Sequence, residues 1–213
     1  MNRRIASILV NVAIAVIAWA AWFSMVFGAS DGMLSARRLA SLKYYTVQSN
    51  LLQGSASAVY AAMLAARLRT GGVPRWVERL KYAGTVSLTL TCATVLFFLQ
   101  PVLSYSGLYD GVNLWFHLLL PLAAVFDLCL LDRESALSFG DSFIALAPTI
   151  LYGIGYTVNL LANGIGTPPH TNDWYGFAMG GLKTLPLSYA VVVLATWGAA
   201  LLERLPRRCV ERH

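Results

Sequence analysis

Two side chains far apart in the chain have types that can do chemistry together. The stretch YYTVQSNLL, Tyr44 to Leu52, places Thr46 at the mouth of a long apolar run. Further on, NLWFHLLLP sets His117 between Asn113 and Pro121, one helical turn to either side. A threonine hydroxyl is a weak nucleophile at neutral pH and needs a general base. An uncharged imidazole can serve as that base. Hydroxyl plus base is the minimum for acyl transfer: attack on an ester carbonyl, an acyl-threonine, then hydrolysis. The oxyanion that forms needs hydrogen-bond donors, and Asn50 and Gln48 are the nearest candidates in sequence. Plainer readings exist for both residues. A Thr in the first turn of a helix is commonly a cap or a back-bonded hydroxyl. A lone intramembrane His is either functional or a neutral hydrogen-bonded bridge between helices.

The same polar residue types recur at helical spacing. Thr46, Asn50, Gln53, Ser57 and Tyr60 alternate steps of four and three, which is one helix face. Tyr152, Tyr156, Asn159 and Asn163 repeat the pattern later. Such stripes point into a bundle and commonly act as interhelical glue, as expected for Ser57 and for Thr85, Thr89, Thr91 and Thr94. Asp127 is expected to pair with a basic residue such as Arg133 or to reach the interface.

These residues need helices to position them, and the composition says of what kind. Of 213 residues, 57% are hydrophobic and only 12% charged, about half the usual charged share. The mean hydropathy is +0.61. A membrane-spanning helix needs about 20 mostly apolar residues, and lipid admits only helices or closed barrels. Six runs qualify: Ile5–Phe27, Tyr44–Ala66, Tyr82–Leu103, Val112–Leu131, Ser142–Ala162 and Leu182–Leu202. They are too continuous for barrel strands, so the expected architecture is all-α, a six-helix transmembrane bundle forming one domain over residues 1–213. The first run starts with Arg3 and Arg4, but it is longer than the apolar core of a secretory leader and reads as a retained helix.

Basic residues set the orientation. With the N-terminus inside, the inner segments hold Arg3, Arg4, Arg67, Arg69, Arg75 and Arg79. They also hold Lys81, Arg133, Arg204, Arg207, Arg208 and Arg212, making twelve of the sixteen basic residues. Arg37, Arg38, Lys43 and Lys183 fall outside. Both termini are therefore expected in the cytoplasm. The net charge of +6 fits basic loops on an anionic leaflet and needs no nucleic acid. Small size and short loops point to a bacterial inner membrane. Cys92, Cys129 and Cys209 make neither a disulfide framework nor a zinc site. No phosphate-binding or dinucleotide fingerprint is present, and no cofactor is expected.

In this topology Thr46 and His117 both lie within roughly the first 8 Å below the outer surface, at 1.5 Å per residue. The outer segment NGIGTPPHTNDWYGFAMGG, Asn163 to Gly181, lies on the same side and reads as a lid. Asp173 is a candidate to orient His117 or a substrate. Trp174 and Tyr175 are candidate substrate contacts or interfacial anchors. Asn113, Tyr156 and Asn159 complete the substrate-binding candidates. His170, Asp173 and His117 have no recognised ligand spacing, and His213 is on the other side, so no metal is expected.

Two stretches carry a resemblance. YYTVQSNLL, with its aromatic-Thr-x-x-Ser-Asn pattern, and HLLLPLAAVFDLCLLDR, with His-x-x-x-Pro, resemble the androgen-induced-gene family of integral membrane proteins, microbial members included. The similarity covers most of the chain. Its animal members are atypical threonine hydrolases that cleave fatty acid esters of hydroxy fatty acids. The resemblance implies Thr46 as nucleophile and His117 as base, with Asn50 and Pro121 at the matching motif positions. It implies an amphiphilic lipid ester as substrate. Two other classes stay open on the residues alone: a small transporter or channel lined by the polar stripes, and a non-catalytic lipid-binding scaffold.

Overall fold

The computed structural model describes residues 3–28, 38–68, 72–103, 106–167 and 170–207. Arg37, Arg69, Arg208, Cys209, Arg212 and His213, and two prolines of the outer segment, lie outside the described residues. Those described are helical, turn or irregular, with no strand among them. Among the described residues the long helices are α1 (Arg3–Val26), α2 (Tyr45–Ala66), α3 (Arg75–Leu99), α4 (Val112–Leu131), α5 (Phe139–Asn163) and α6 (Leu182–Arg207), with shorter helical turns at Arg38–Lys43, Gln100–Leu103 and Ser106–Tyr109. Five of them, all but α2, are long and apolar enough to cross a membrane. Large apolar side chains stand exposed along them, including Leu9 and Val16 on α1, Leu151 and Leu161 on α5, and Leu187 and Leu194 on α6. Exposed apolar surface on this scale has lipid as its natural solvent, as in an integral membrane protein.

α2 is the polar exception because it packs between α1 and α3 and meets protein rather than lipid. Gly54 makes this possible on one side: a Cβ there would lie 2.8 Å from the Ala18 Cβ of α1. Gly84 of α3 does so on the other, where a Cβ would come 3.1 Å from the Gln53 Cα. Small residues let helix backbones approach closely where no hydrophobic force drives them together. Around the first turns of α2, Ile14, Ala18, Val47, Leu88, Phe116 and Leu120 form the principal apolar cluster.

The helices reach further than hydropathy alone suggests. α3 begins at Arg75, seven residues before the expected Tyr82, and α6 runs to Arg207 rather than Leu202. Glu78, Lys81, Glu203 and Arg207 in these extensions are buried. Lys81 pairs with Asp127 and, at 3.0 Å, with Asp132. Arg207 meets Asp132 at 2.6 Å and Glu78 at 3.9 Å. Ser7 and Asn11 of α1 donate to Asp127 at 2.6 and 2.7 Å, and Lys81 lies 3.5 Å over the Tyr60 ring. All of these side chains are buried. The expected Asp127–Arg133 pairing is therefore corrected: Asp127 faces the bundle interior and pairs with Lys81, while Arg133 donates to the Pro206 carbonyl. Arg4 and Glu134 pair at 2.8 Å at the same end. This ionic layer ties α1, α3, α4 and α6 together at one end of the molecule, opposite to Thr46.

Candidate functional site

Thr46 sits in the first turn of α2, whose leading residue Tyr44 is extended and makes no side-chain cap. The first amides of a helix lack internal partners, and here a distant residue supplies one. The Tyr175 hydroxyl accepts the Tyr45 N–H at 2.8 Å. Thr46, the next residue, lies beside the same hydroxyl. Burial pushes the Tyr175 phenol up to about 12, against the opposing hydrogen bonds at Tyr45, Tyr152 and Thr46, so it keeps its proton at neutral pH. Below Thr46, the Asn50 Nδ2 donates to the Thr46 carbonyl at 2.8 Å and to the Phe116 carbonyl at 3.2 Å. Asn50 thus ties the first turn of α2 to the turn of α4 that bears His117.

His117 is buried within a π-helical turn, Trp115–Leu119. Pro121 accounts for that local widening. It has no N–H to give the carbonyl four residues back, which is that of His117, and its ring crowds the same carbonyl. Wide turns of this kind often occur at functional sites. The His117 Nδ1 lies 2.7 Å from the Leu108 carbonyl. A carbonyl only accepts, so Nδ1 carries the proton and Nε2 is the acceptor. Asn113 holds the same connection from below, donating to the Gly107 carbonyl at 3.0 Å. No hydrogen bond joins Thr46 to His117; what the fold brings together is their two helical turns.

Comparison with known proteins adds no family. No protein-family model, curated protein or solved structure matches the chain.

The remaining candidates form a second group. The Asp173 carboxylate accepts the Tyr156 hydroxyl at 2.6 Å and the Ala178 N–H at 2.9 Å, so it organises the outer segment and does not orient His117. The Leu108 carbonyl has that role. Trp174 donates to the Tyr152 hydroxyl at 3.0 Å and meets the Tyr156 ring edge-on at 4.8 Å. Tyr152 in turn donates to the Lys43 carbonyl at 2.6 Å. Together these rings clamp the outer segment onto the N-terminus of α2. Gln48 is exposed and donates to the Leu42 carbonyl at 2.7 Å. Asn159 accepts from Asn163, while its own Nδ2 is buried without a partner.

A cavity of about 650 Å³ lies between α2, α3 and α5. Gln48, Tyr156, Asn159 and Trp174 line it, with Lys43 and Tyr152 beside them. Thr46, His117, Asn50 and Asn113 do not, though their neighbours Tyr45 and Ser49 do. Sequence reasoning passed over Tyr45, Tyr152 and Lys43 as site residues. The one available signal was the aromatic pair at Tyr44–Tyr45 next to a cationic residue. Among the described residues no group of three or more His, Cys, Asp and Glu is placed to hold a metal ion.

Proposed function

We propose that the protein is an integral membrane hydrolase that cleaves a lipid ester, with Thr46 as nucleophile and His117 as base. This is the activity that the resemblance to the androgen-induced-gene family implies. The observation that carries it is the Asn50 bridge between the Thr46 and Phe116 carbonyls, beside a histidine whose Nε2 is left as an acceptor. In the reaction, His117 Nε2 takes the Thr46 proton as the hydroxyl oxygen attacks the ester carbonyl carbon. The tetrahedral intermediate collapses, the alcohol leaves with the proton from His117, and an acyl-threonine remains. Water, deprotonated by His117, then attacks the acyl carbon, the bond to the Thr46 oxygen breaks, and that oxygen takes the proton back from His117 as the acid is released. The oxyanion donor in this reading is the Tyr175 hydroxyl, which accepts the Tyr45 N–H beside Thr46 and keeps its own proton free to give. Asn50 is a positioning residue, since its amide protons serve two backbone carbonyls. Catalytic hydrogen bonds in ligand-free sites are often long and tighten with substrate, which suits the unjoined pair.

In this reading α2 is a sixth span at the centre of the bundle, and both termini lie on the cytoplasmic side of the cell membrane. The basic residues at the end opposite Thr46, such as Arg4, Arg75, Arg133 and Arg207, support that orientation. Gln53, Ser57 and Tyr60 are fully buried, which supports a closed site rather than a polar path along α2. The test is labelling of the purified protein with a fluorophosphonate probe, beside Thr46→Ala and His117→Ala. Labelling lost in both folded variants is the expected result. Labelling that survives Thr46→Ala puts the nucleophile elsewhere.

A further inference from the structure

The cavity between α2, α3 and α5 has a chemistry of its own. It follows α5 from Asn159 to Ala147, about 18 Å at the rise of a helix. Its lower wall is apolar: Leu52 of α2, Leu80 of α3, and Ala147, Pro148 and Leu151 of α5. Leu151 is also 68% exposed, so this wall opens sideways onto the apolar outer surface of the bundle. The upper wall is different. Lys43 stands there, 5.0 Å over the Tyr44 ring and 5.3 Å over the Trp174 ring, with no acidic partner among the described residues. Asn159, at the same end of the α5 wall as Tyr156, lines the cavity with its buried Nδ2 unpaired. A cation and an unused donor above a long apolar trough complement a single acyl chain ending in an anion. A volume of this size falls in the ordinary range for a small-ligand site.

We propose that this groove binds an anionic single-chain amphiphile, its head group at Lys43 and Asn159 and its acyl chain along Leu52, Leu80 and Leu151. The inference rests on the hydrolase reading for its purpose, since it places the released fatty acid, whose carboxylate is free only after hydrolysis, beside the turn of α2 that bears Thr46. Ser49, in the groove wall, lies one turn along α2 from Thr46 and donates to its carbonyl at 3.1 Å. The groove admits a carboxylate from a free fatty acid or a phosphate from a lysophospholipid, because both present an anion on one chain.

Binding is measured with the full chain in phosphatidylcholine nanodiscs, using radiolabelled palmitate, methyl palmitate and palmitoyl lysophosphatidate. The wild type is expected to hold palmitate about tenfold or more tighter than its uncharged methyl ester. Lys43→Gln should bring the two to parity. Gly155→Leu fills the groove, because a Cβ at Gly155 meets nothing within 4 Å. It should remove binding of every probe while the protein melts at or above the wild-type temperature. Tighter palmitate assigns the head group to a carboxylate, and tighter lysophosphatidate to a phosphate. Equal binding of palmitate and methyl palmitate by the wild type overturns the proposal, as does binding unchanged in folded Gly155→Leu. Thr46→Ala is run alongside. Binding there without loss of ester turnover rejects the hydrolase reading alone, and turnover lost without any palmitate binding rejects the groove alone.

Discussion

Lys81 carries a full charge into the interior and is neutralised by Asp127 and Asp132. Removing one member of such a layer leaves the rest uncompensated, a larger penalty than the pair's net worth. Lys81→Met is therefore expected to destabilise the protein by about 3–5 kcal/mol, measured as a loss of melting temperature in detergent. An unchanged melt would mean the layer is hydrated. Acid should weaken the same contacts. Burial raises the Asp132 carboxyl, but Lys81 and Arg207 more than compensate and hold it down at about 2. A depressed carboxyl adds stability above its unfolded value, near 3.9, and loses it as pH falls through the folded one. Melting temperature should thus drop between pH about 4 and 2, and Asp132→Asn should flatten that limb. Nearer the proposed site, His117→Ala is expected to cut ester turnover about a hundred- to ten-thousandfold. Asn50→Ala should instead cost about 1–3 kcal/mol of stability by removing the donor to the Phe116 carbonyl and one of the donors to the Thr46 carbonyl, which keeps Ser49.

At the scale of elements, α2 depends on its neighbours. α2, the one long helix among the described residues not apolar enough to cross a membrane by composition, is held because α1 and α3 come close at Gly54 and Gly84. Gly84→Leu should force α2 and α3 apart, since its side chain meets the Gln53 backbone. Loss of the folded, monodisperse protein is the expected outcome, and a normal elution profile would contradict the packing. The outer segment is the second dependent element. Its Tyr175 hydroxyl holds the start of α2, and the Tyr156 hydroxyl of α5 accepts the Tyr175 N–H. Tyr175→Phe removes the partner of the Tyr45 amide while leaving the ring stack. It should lower turnover with little change in melting temperature if the hydroxyl serves the oxyanion. A large fall in melting temperature with normal turnover would make it a cap alone.

For the whole molecule the two ends differ in kind. One is an ionic layer of buried pairs, the other an aromatic clamp over a threonine, a histidine and a lipid-facing groove. The proposed orientation puts the aromatic end outside. Met179 lies in the outer segment and is 88% exposed, so Met179→Cys in the Cys92→Ala, Cys129→Ala, Cys209→Ala background should react with an impermeant maleimide added to intact cells. Reaction only after lysis would invert the topology.

Much of this was legible from residue order alone. Apolar runs near twenty residues, with charges between them, determined a helical membrane protein, because lipid leaves the backbone few alternatives. Helical spacing determined that Thr46, Asn50, Gln53, Ser57 and Tyr60 share a face. The starts of α3 and the end of α6 were not legible, because a hydropathy window reads Glu78, Lys81 and Arg207 as water-seeking charges, whereas buried partners from other helices neutralise them. Nor could spacing say which polar groups meet. Asp173 and His117 look equally placed to pair, yet three-dimensional proximity gives Asp173 to Tyr156 and His117 to the Leu108 carbonyl. Partner choice between helices depends on their rotation and crossing, which many weak side-chain contacts set together and no single segment encodes.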